Sequence, residues 1–284
     1  MAADGTASPG AQPAPDGAGG QAAPAHVSRP EAGIAVVTLA RPAQRNALSA
    51  EMLAALQRAF DGLAGDGAVR AIVLAAEGPV FCAGHDLKEL TRHRGDGDGG
   101  RAFYAETMGA CARLMQTIVA SAKPVVAAVQ GTATAAGCQL VATCDLAVAA
   151  RSAQFCTPGV NIGLFCSTPM VALSRNVPRK RAMEMLLLGD LISADEALDF
   201  GLVNRVVDDG AALEGALVLA RRIASKSAAT VAIGKEAFYR QAEMTLADAY
   251  AYAADVMVQN MLHRDAAEGI GAFIEKRPPV WTCS

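Results

Sequence analysis

Two short segments combine small residues with helix starts in a way that could do chemistry. "PVFCAGHDLKEL" (79–90) puts Gly84 after a strand and before a helical turn, and "GTATAAGCQLVATCD" (131–145) uses Ala135, Ala136 and Gly137 to begin another helix. Small residues let a ligand approach the main chain closely, and a helix N-terminus aims free NH groups and partial positive charge at it. Two such NH groups could hold one developing oxyanion. Tight packing between strand and helix would call for the same small residues, so these loops alone leave both readings open. Gln139 stands in the first turn of the second helix. Its amide can orient a water but cannot take its proton. Cys156, Cys166 and Ser167 add nucleophile types nearby, without an evident His or Lys partner to activate a thiol.

The elements that must position these groups follow from composition and periodicity. The chain has 284 residues, 52% hydrophobic and 19% charged, with a net charge of −3. That suits one domain of about 200 to 250 residues with a substantial core. The mixed charge gives no basic footprint for nucleic acid or an anionic membrane. Apolar runs break within about a dozen residues where a membrane span needs about 20. The seven cysteines, an odd number, form no C-x-x-C pair and no zinc-like cluster, so they read as reduced thiols and no metal site is expected. Residues 1–32, rich in Ala, Gly and Pro, carry too little apolar surface to offset chain entropy and read as a disordered tail. That tail lacks the marks of a secretory or transit segment. From Gly33, "IAVVTLA", "VRAIVLAAEG", "KPVVAAVQG" and "DLAVAAR" read as nearly all-apolar strands, buried on both faces in a parallel α/β arrangement. A helix after Ser49 carries Leu53, Leu56, Phe60 and Leu63 on one face, and Ser193 with Glu196 forms a capping box. After about residue 168 the pattern turns helical, until Pro278 and Pro279.

In order and spacing, "RPAQRNALS", "FCAGHDLKEL", "KPVVAAVQGTATAAGCQLVATCD", "AQFCTPGVNIGLF" and "EGIGAFIEKRPPVW" resemble the segments that define the crotonase (enoyl-CoA hydratase/isomerase) superfamily. The resemblance covers nearly everything after residue 33. It implies an α/β fold in which ββα turns form a spiral over 33–205. It also implies a helical region, 206–284, that makes trimers or hexamers, and an acyl-CoA thioester as ligand. Coenzyme A would arrive as part of the substrate, with no separate cofactor. The oxyanion hole would be the NH groups of His85 and Ala136. Ala83 and His85 would offer backbone to the adenine and pantetheine, Arg45 and Lys88 would meet CoA phosphates, and Phe273 and Lys276 would reach CoA from a neighbouring subunit. The implied compartment is the cytoplasm, or the mitochondrial matrix in a eukaryote.

The resemblance also marks a departure. Hydratases of this family carry catalytic glutamates where this chain has Gln139 and Gly159. Syn addition of water needs a base for the water and an acid for the α-carbon, each worth roughly 10²- to 10⁴-fold. Efficient two-glutamate hydration is therefore not expected. Three functions remain: enolate chemistry through the oxyanion hole, such as decarboxylation of a malonyl-type thioester; weak hydratase or isomerase activity through a Gln139-bound water; and acyl-CoA binding without turnover, as a regulatory subunit of a mixed oligomer. His85 could supply a proton or merely pack, Asp86 is expected to anchor its loop, and His26 and His93 look unconnected to chemistry.

Overall fold

A computed structural model describes residues 23–282. The chain runs through β1 (Ala25–Glu31), β2 (Gly33–Leu39), α1 (Ala50–Ala64), β3 (Val69–Ala76), β4 (Val80–Cys82), α2 (Leu87–Arg92), α3 (Arg101–Ala120), β5 (Val125–Val129), β6 (Thr132–Thr134) and α4 (Ala136–Thr143). It continues through β7 (Leu146–Ala150), β8 (Gln154–Cys156), α5 (Pro169–Asn176), α6 (Arg179–Leu188), β9 (Ile192–Ser193), α7 (Ala194–Asp199), β10 (Arg205–Val207) and α8 (Ala212–Ala224). Helices α9 (Ala228–Gln241), α10 (Leu246–Met261) and α11 (Arg264–Glu275) end it.

Successive turns share a plan. β3 then β4, β5 then β6, and β7 then β8 each give their first strand to a six-stranded sheet ordered β1-β2-β3-β5-β7-β10. Each gives its second to a four-stranded sheet ordered β4-β6-β8-β9. Within each sheet these strands pair in parallel. This is the spiral of ββα turns that the resemblance implies. The large sheet is buried on both faces by the alternation of side chains along each strand. Val37, Ile72, Leu74, Val125 and Ala127 face Leu53, Leu56, Leu114 and Leu140 of α1, α3 and α4. Their neighbours Val36, Val73, Val126 and Val148 face Ala216, Leu217 and Ala220 of α8.

Helix α1 starts as its sequence predicts: the Ser49 hydroxyl accepts from Met52 NH, and Leu53, Leu56, Phe60 and Leu63 are buried. The Ser193–Glu196 capping box is present at α7. Two boundaries differ from expectation. The tail read as residues 1–32 extends too far, because Ala25–Glu31 is strand β1, antiparallel to β2 with an irregularity between Ser28 and Glu31. An edge strand is held chiefly by main-chain hydrogen bonds, so it needs little apolar surface and tolerates Pro30 beside that irregularity. Arg221 further clamps Glu31 with 2.8 and 2.6 Å hydrogen bonds from Nε and Nη2. Residues 1–22 of the expected tail lie outside the described residues. The second difference is at 205/206, where α8 belongs to the sheet's second face. Helices α9 and α10 bury no residue within this chain.

Candidate active site

A cleft of about 1070 Å³ opens where four segments meet: 43–47, 83–90, 134–136 and 158–169. Its geometry begins with Asn46, which is wholly buried. The Asn46 Oδ1 accepts from Arg41 NH, and Nδ2 donates to the carbonyls of Glu77 and Val80 at 2.9 and 2.8 Å. These bonds hold Arg45 and Asn46 in left-handed conformations, φ 53° and 52°. The Arg45 carbonyl then receives Ala83 NH, and Leu48 NH donates to the Gly84 carbonyl. Asp86 caps α2, its Oδ1 accepting from Lys88 and Glu89 NH at 2.9 and 3.1 Å. That is the anchoring expected of it.

The two small-residue loops touch. Gly84 has φ +84°, and a Cβ there would lie 2.9 Å from Ala135 Cβ and 3.2 Å from Ala136 N. A Cβ on Gly137 would overlap the Cys82 carbonyl oxygen. Ala135 has φ 50° and ψ −118°, a costly conformation for a residue with a Cβ, and its NH donates to the Cys156 carbonyl at 2.9 Å. That turn starts α4 at the cleft wall. Among the described residues neither His85 NH nor Ala136 NH has an acceptor, and both residues line the cleft. Close packing, one of the two readings left open above, is thus present, and it leaves both NH groups without acceptors among the described residues.

The side chains separate more sharply. Gln139 is only 4% exposed, is not part of the cleft wall, and its Oε1 is buried without a hydrogen-bond partner. Gly159 is on the wall, but a Cβ there would sit 2.7 Å from the Leu164 carbonyl oxygen and 2.9 Å from Cys166 Sγ. The space that a side chain would leave through is filled. The lining carries one carboxylate, that of Asp86, already engaged with two NH groups. His85 lines the cleft with Nδ1 3.4 Å from the Leu48 carbonyl and Nε2 buried without a partner. Burial holds its pKa below the ordinary histidine value. Cys166 lines the cleft while Cys156 does not; burial pushes the Cys156 thiol up to about 11 and raises Cys166 as well. The Ser167 hydroxyl donates to the Phe165 carbonyl at 3.3 Å.

Arg45, Ala83 and Lys88 line the cleft, and neither the Arg45 nor the Lys88 side chain has an ion-pair partner among the described residues. Phe273 and Lys276 do not come to the cleft of their own chain; Phe273 is 85% exposed on α11. His26 lies on β1, and His93 pairs with Asp96 and stacks on Phe103, both away from the cleft lining. Sequence reasoning missed the buried anchor Asn46, whose signal was an asparagine in a turn-forming stretch. It also missed Met108, which reaches the cleft from α3. No group of three or more His, Cys, Asp or Glu suited to a metal occurs among the described residues.

A spiral of ββα turns with a cleft at the start of α4 defines the class. Residues 29–284 match the model of the enoyl-CoA hydratase/isomerase family, and the chain belongs to that family. Among its relatives, the rat mitochondrial enoyl-CoA hydratase domain-containing protein 3 is 49% identical over 255 residues, 90% of this chain and 83% of that one. A putative enoyl-CoA hydratase of Thermus thermophilus is 39% identical, over 87% and 96% of the two chains. Among solved structures, an enoyl-CoA hydratase from Mycobacterium smegmatis superposes with TM-score 0.86 at 51% identity, covering 91% of this chain and 98% of the other. Human enoyl-CoA hydratase domain-containing protein 3 also gives TM-score 0.86, at 47% identity and 91% and 100% coverage.

Proposed function

We propose that the cleft binds an acyl-CoA thioester, with the thioester oxygen between His85 NH and Ala136 NH, and that it acts by stabilising an enolate rather than by two-glutamate hydration. The observation that carries this is the pairing of two unpaired NH groups with a wall whose one carboxylate, Asp86, is already occupied. Donors aimed at developing negative charge in a water-poor site typically contribute about 3 kcal/mol each. Loss of CO₂ from a malonyl-type thioester suits such a site. The bond from the α-carbon to the carboxylate breaks, its electron pair passes into the enolate held by the two NH groups, and solvent returns a proton to the α-carbon. No side chain has to remove a carbon-bound proton.

Arg45 and Lys88 are free to meet the CoA phosphates, and the backbone at Ala83 and His85 to hold the adenine and pantetheine. Phe273 and Lys276 reach CoA from a second subunit in a trimer or hexamer. Exposed Leu246, Tyr250, Met257, Phe273 and Ile274 on α10 and α11 support that assembly. A compartment that holds acyl-CoA, the cytoplasm or a mitochondrial matrix, fits this ligand, and no described helix is long and apolar enough to cross a membrane. A second reading, binding without turnover, is favoured by the closed space at Gly159.

The test compares malonyl-CoA decarboxylation with crotonyl-CoA hydration, alongside calorimetry with butyryl-CoA. Decarboxylation exceeding hydration supports enolate chemistry, and butyryl-CoA binding with neither reaction supports the binding reading. Hydration at a rate usual for a two-glutamate enzyme overturns both. Lys88→Ala and Arg45→Ala should each weaken butyryl-CoA binding several-fold, less so at high salt.

A further inference from the structure

The cleft presents two kinds of surface. Its charged side chains, Arg45, Asp86 and Lys88, come from segments 43–47 and 83–90, and neither segment 158–169 nor α3 adds one. The remainder is more apolar than folding of this chain rewards. Leu87, Ile162, Leu164 and Phe165 are each between 43% and 59% exposed, and Leu90 and Met108 are half-buried in the same lining. Single exposed apolar side chains are ordinary on a protein surface. Several gathered in one concave site call for a ligand with apolar surface to match. The cleft volume of about 1070 Å³ stands at the top of the range of roughly 300–1,000 Å³ usual for small-molecule pockets, so that ligand is large.

In a CoA ester the phosphates call for the cations, and the acyl group is the part that can cover the apolar lining. Resting on the acyl-CoA reading of the cleft, we propose that it selects thioesters of medium-chain aliphatic acids, octanoyl rather than butyryl in size, and that Met108 sets the upper limit of chain length. Met108 is the α3 residue in the lining. Behind it α3 is closed: Cys111 and Leu114, one and nearly two turns on, are wholly buried, and Thr107 is 3% exposed. One turn back, the Tyr104 hydroxyl donates to the Leu90 carbonyl at 3.0 Å and ties α3 to α2. A chain that reaches α3 can therefore advance only by moving the Met108 side chain, which is unbranched and adapts to what it touches. A ring at 108 shortens the space and a methyl lengthens it. The selection concerns which thioester is held, and the chemistry at its α-carbon is that proposed above.

Calorimetry of the full chain with butyryl-, octanoyl- and lauroyl-CoA tests this, read as ratios of affinity so that a general loss of fold or of CoA binding cancels. A fully buried methylene is worth roughly fourfold in affinity, so octanoyl-CoA should bind the wild type about tenfold or more tighter than butyryl-CoA even in a cleft that stays partly open. Lauroyl-CoA should bind more weakly than octanoyl-CoA. Met108→Trp should bring the octanoyl-to-butyryl ratio close to one, with Met108→Phe asking the same of a smaller ring, and Met108→Ala should move the tightest binding to lauroyl-CoA. A wild-type ratio near one, the result expected if these apolar side chains serve contact with a second copy instead, overturns the inference. So do lauroyl-CoA binding tighter than octanoyl-CoA to the wild type and ratios unmoved in all three variants. Each of these leaves the acyl-CoA reading standing, whereas failure of all three esters to bind the wild type removes both.

Discussion

The first turn of α4 leaves Ala136 NH and Gln139 Oε1 without partners among the described residues, whereas its last turn is tied in through Ala142, Thr143 and Cys144. At the start, Ala135 is held in a costly conformation, Ala136 NH has no acceptor among the described residues, and Gln139 Oε1 is buried without a partner. At the end, Asn176 Nδ2 donates to the Ala142 carbonyl at 2.8 Å, and Thr143 and Cys144 donate back to the carbonyls of Gln139 and Leu140. Asp145, just beyond, accepts from Val125 NH, Lys235 Nζ and Tyr239 hydroxyl at 2.7, 2.7 and 3.0 Å. Folding alone rewards the second arrangement. Ala136 stands on the cleft wall and Gln139 does not, so on the function proposed above a ligand would complete the bonding of the Ala136 NH alone, with the closed end as its support.

The sharpest way to break this contrast is to open the closed end. Lys235 and Asp145 form an ion pair whose side chains are 7% and 16% exposed. Removing one member of such a pair leaves a buried charge unmatched and costs roughly 3–5 kcal/mol. Asp145→Ala is therefore expected to lower the denaturant midpoint markedly, and with it the anchorage of α9. A variant within about 1 kcal/mol of wild type in urea unfolding would show that the closed end supports nothing.

Next in size is Gly137→Ala. The new methyl would overlap the Cys82 carbonyl, so either β4 or α4 must shift, at about 1–3 kcal/mol. Gly137 follows Ala136 and Cys82 lies three residues before His85, so on the function proposed above butyryl-CoA affinity should fall along with stability. Gly62→Ala, on an α1 face where a Cβ meets nothing within 4 Å, is the matched control and should change neither for the worse.

The open end was legible in the sequence and much of its surroundings was not. Small residues at Gly84 and Ala135–Gly137 announce a close backbone approach because few other constraints demand them. The large-sheet strands were readable as apolar runs. Strands β4, β6 and β8 have three residues each, too few for a period to emerge. Helix α3 begins at Gly100 without a side-chain cap and buries Thr107 and Cys111 among its apolar residues, so neither a start signal nor a clean stripe marks it. The residue types at Gln139 and Gly159 could be seen, but their placement could not. That Gln139 lies off the cleft wall, and that Leu164 and Cys166 occupy the space beside Gly159, depends on a loop path that no local pattern encodes.

The smallest expected effect is a pH dependence at the open end. His85 is held near neutral form by burial, with its Nδ1 proton directed at the Leu48 carbonyl and Nε2 without a partner. Its folded pKa lies below the unfolded value of about 6.5, so the unfolded chain binds the proton more readily. Stability is therefore undiminished above the unfolded pKa, declines as pH falls below it, and levels off once pH passes the lower folded pKa. His85→Gln keeps a polar side chain of similar reach and removes the titration. Urea midpoints measured from pH 7.5 down to 5 should fall more steeply for wild type than for this variant, after the background from carboxylates common to both is subtracted. Parallel curves would mean that His85 gains a partner on protonation, such as the Glu89 carboxylate whose charge already acts on it, and that the open end is less open than its neutral form implies.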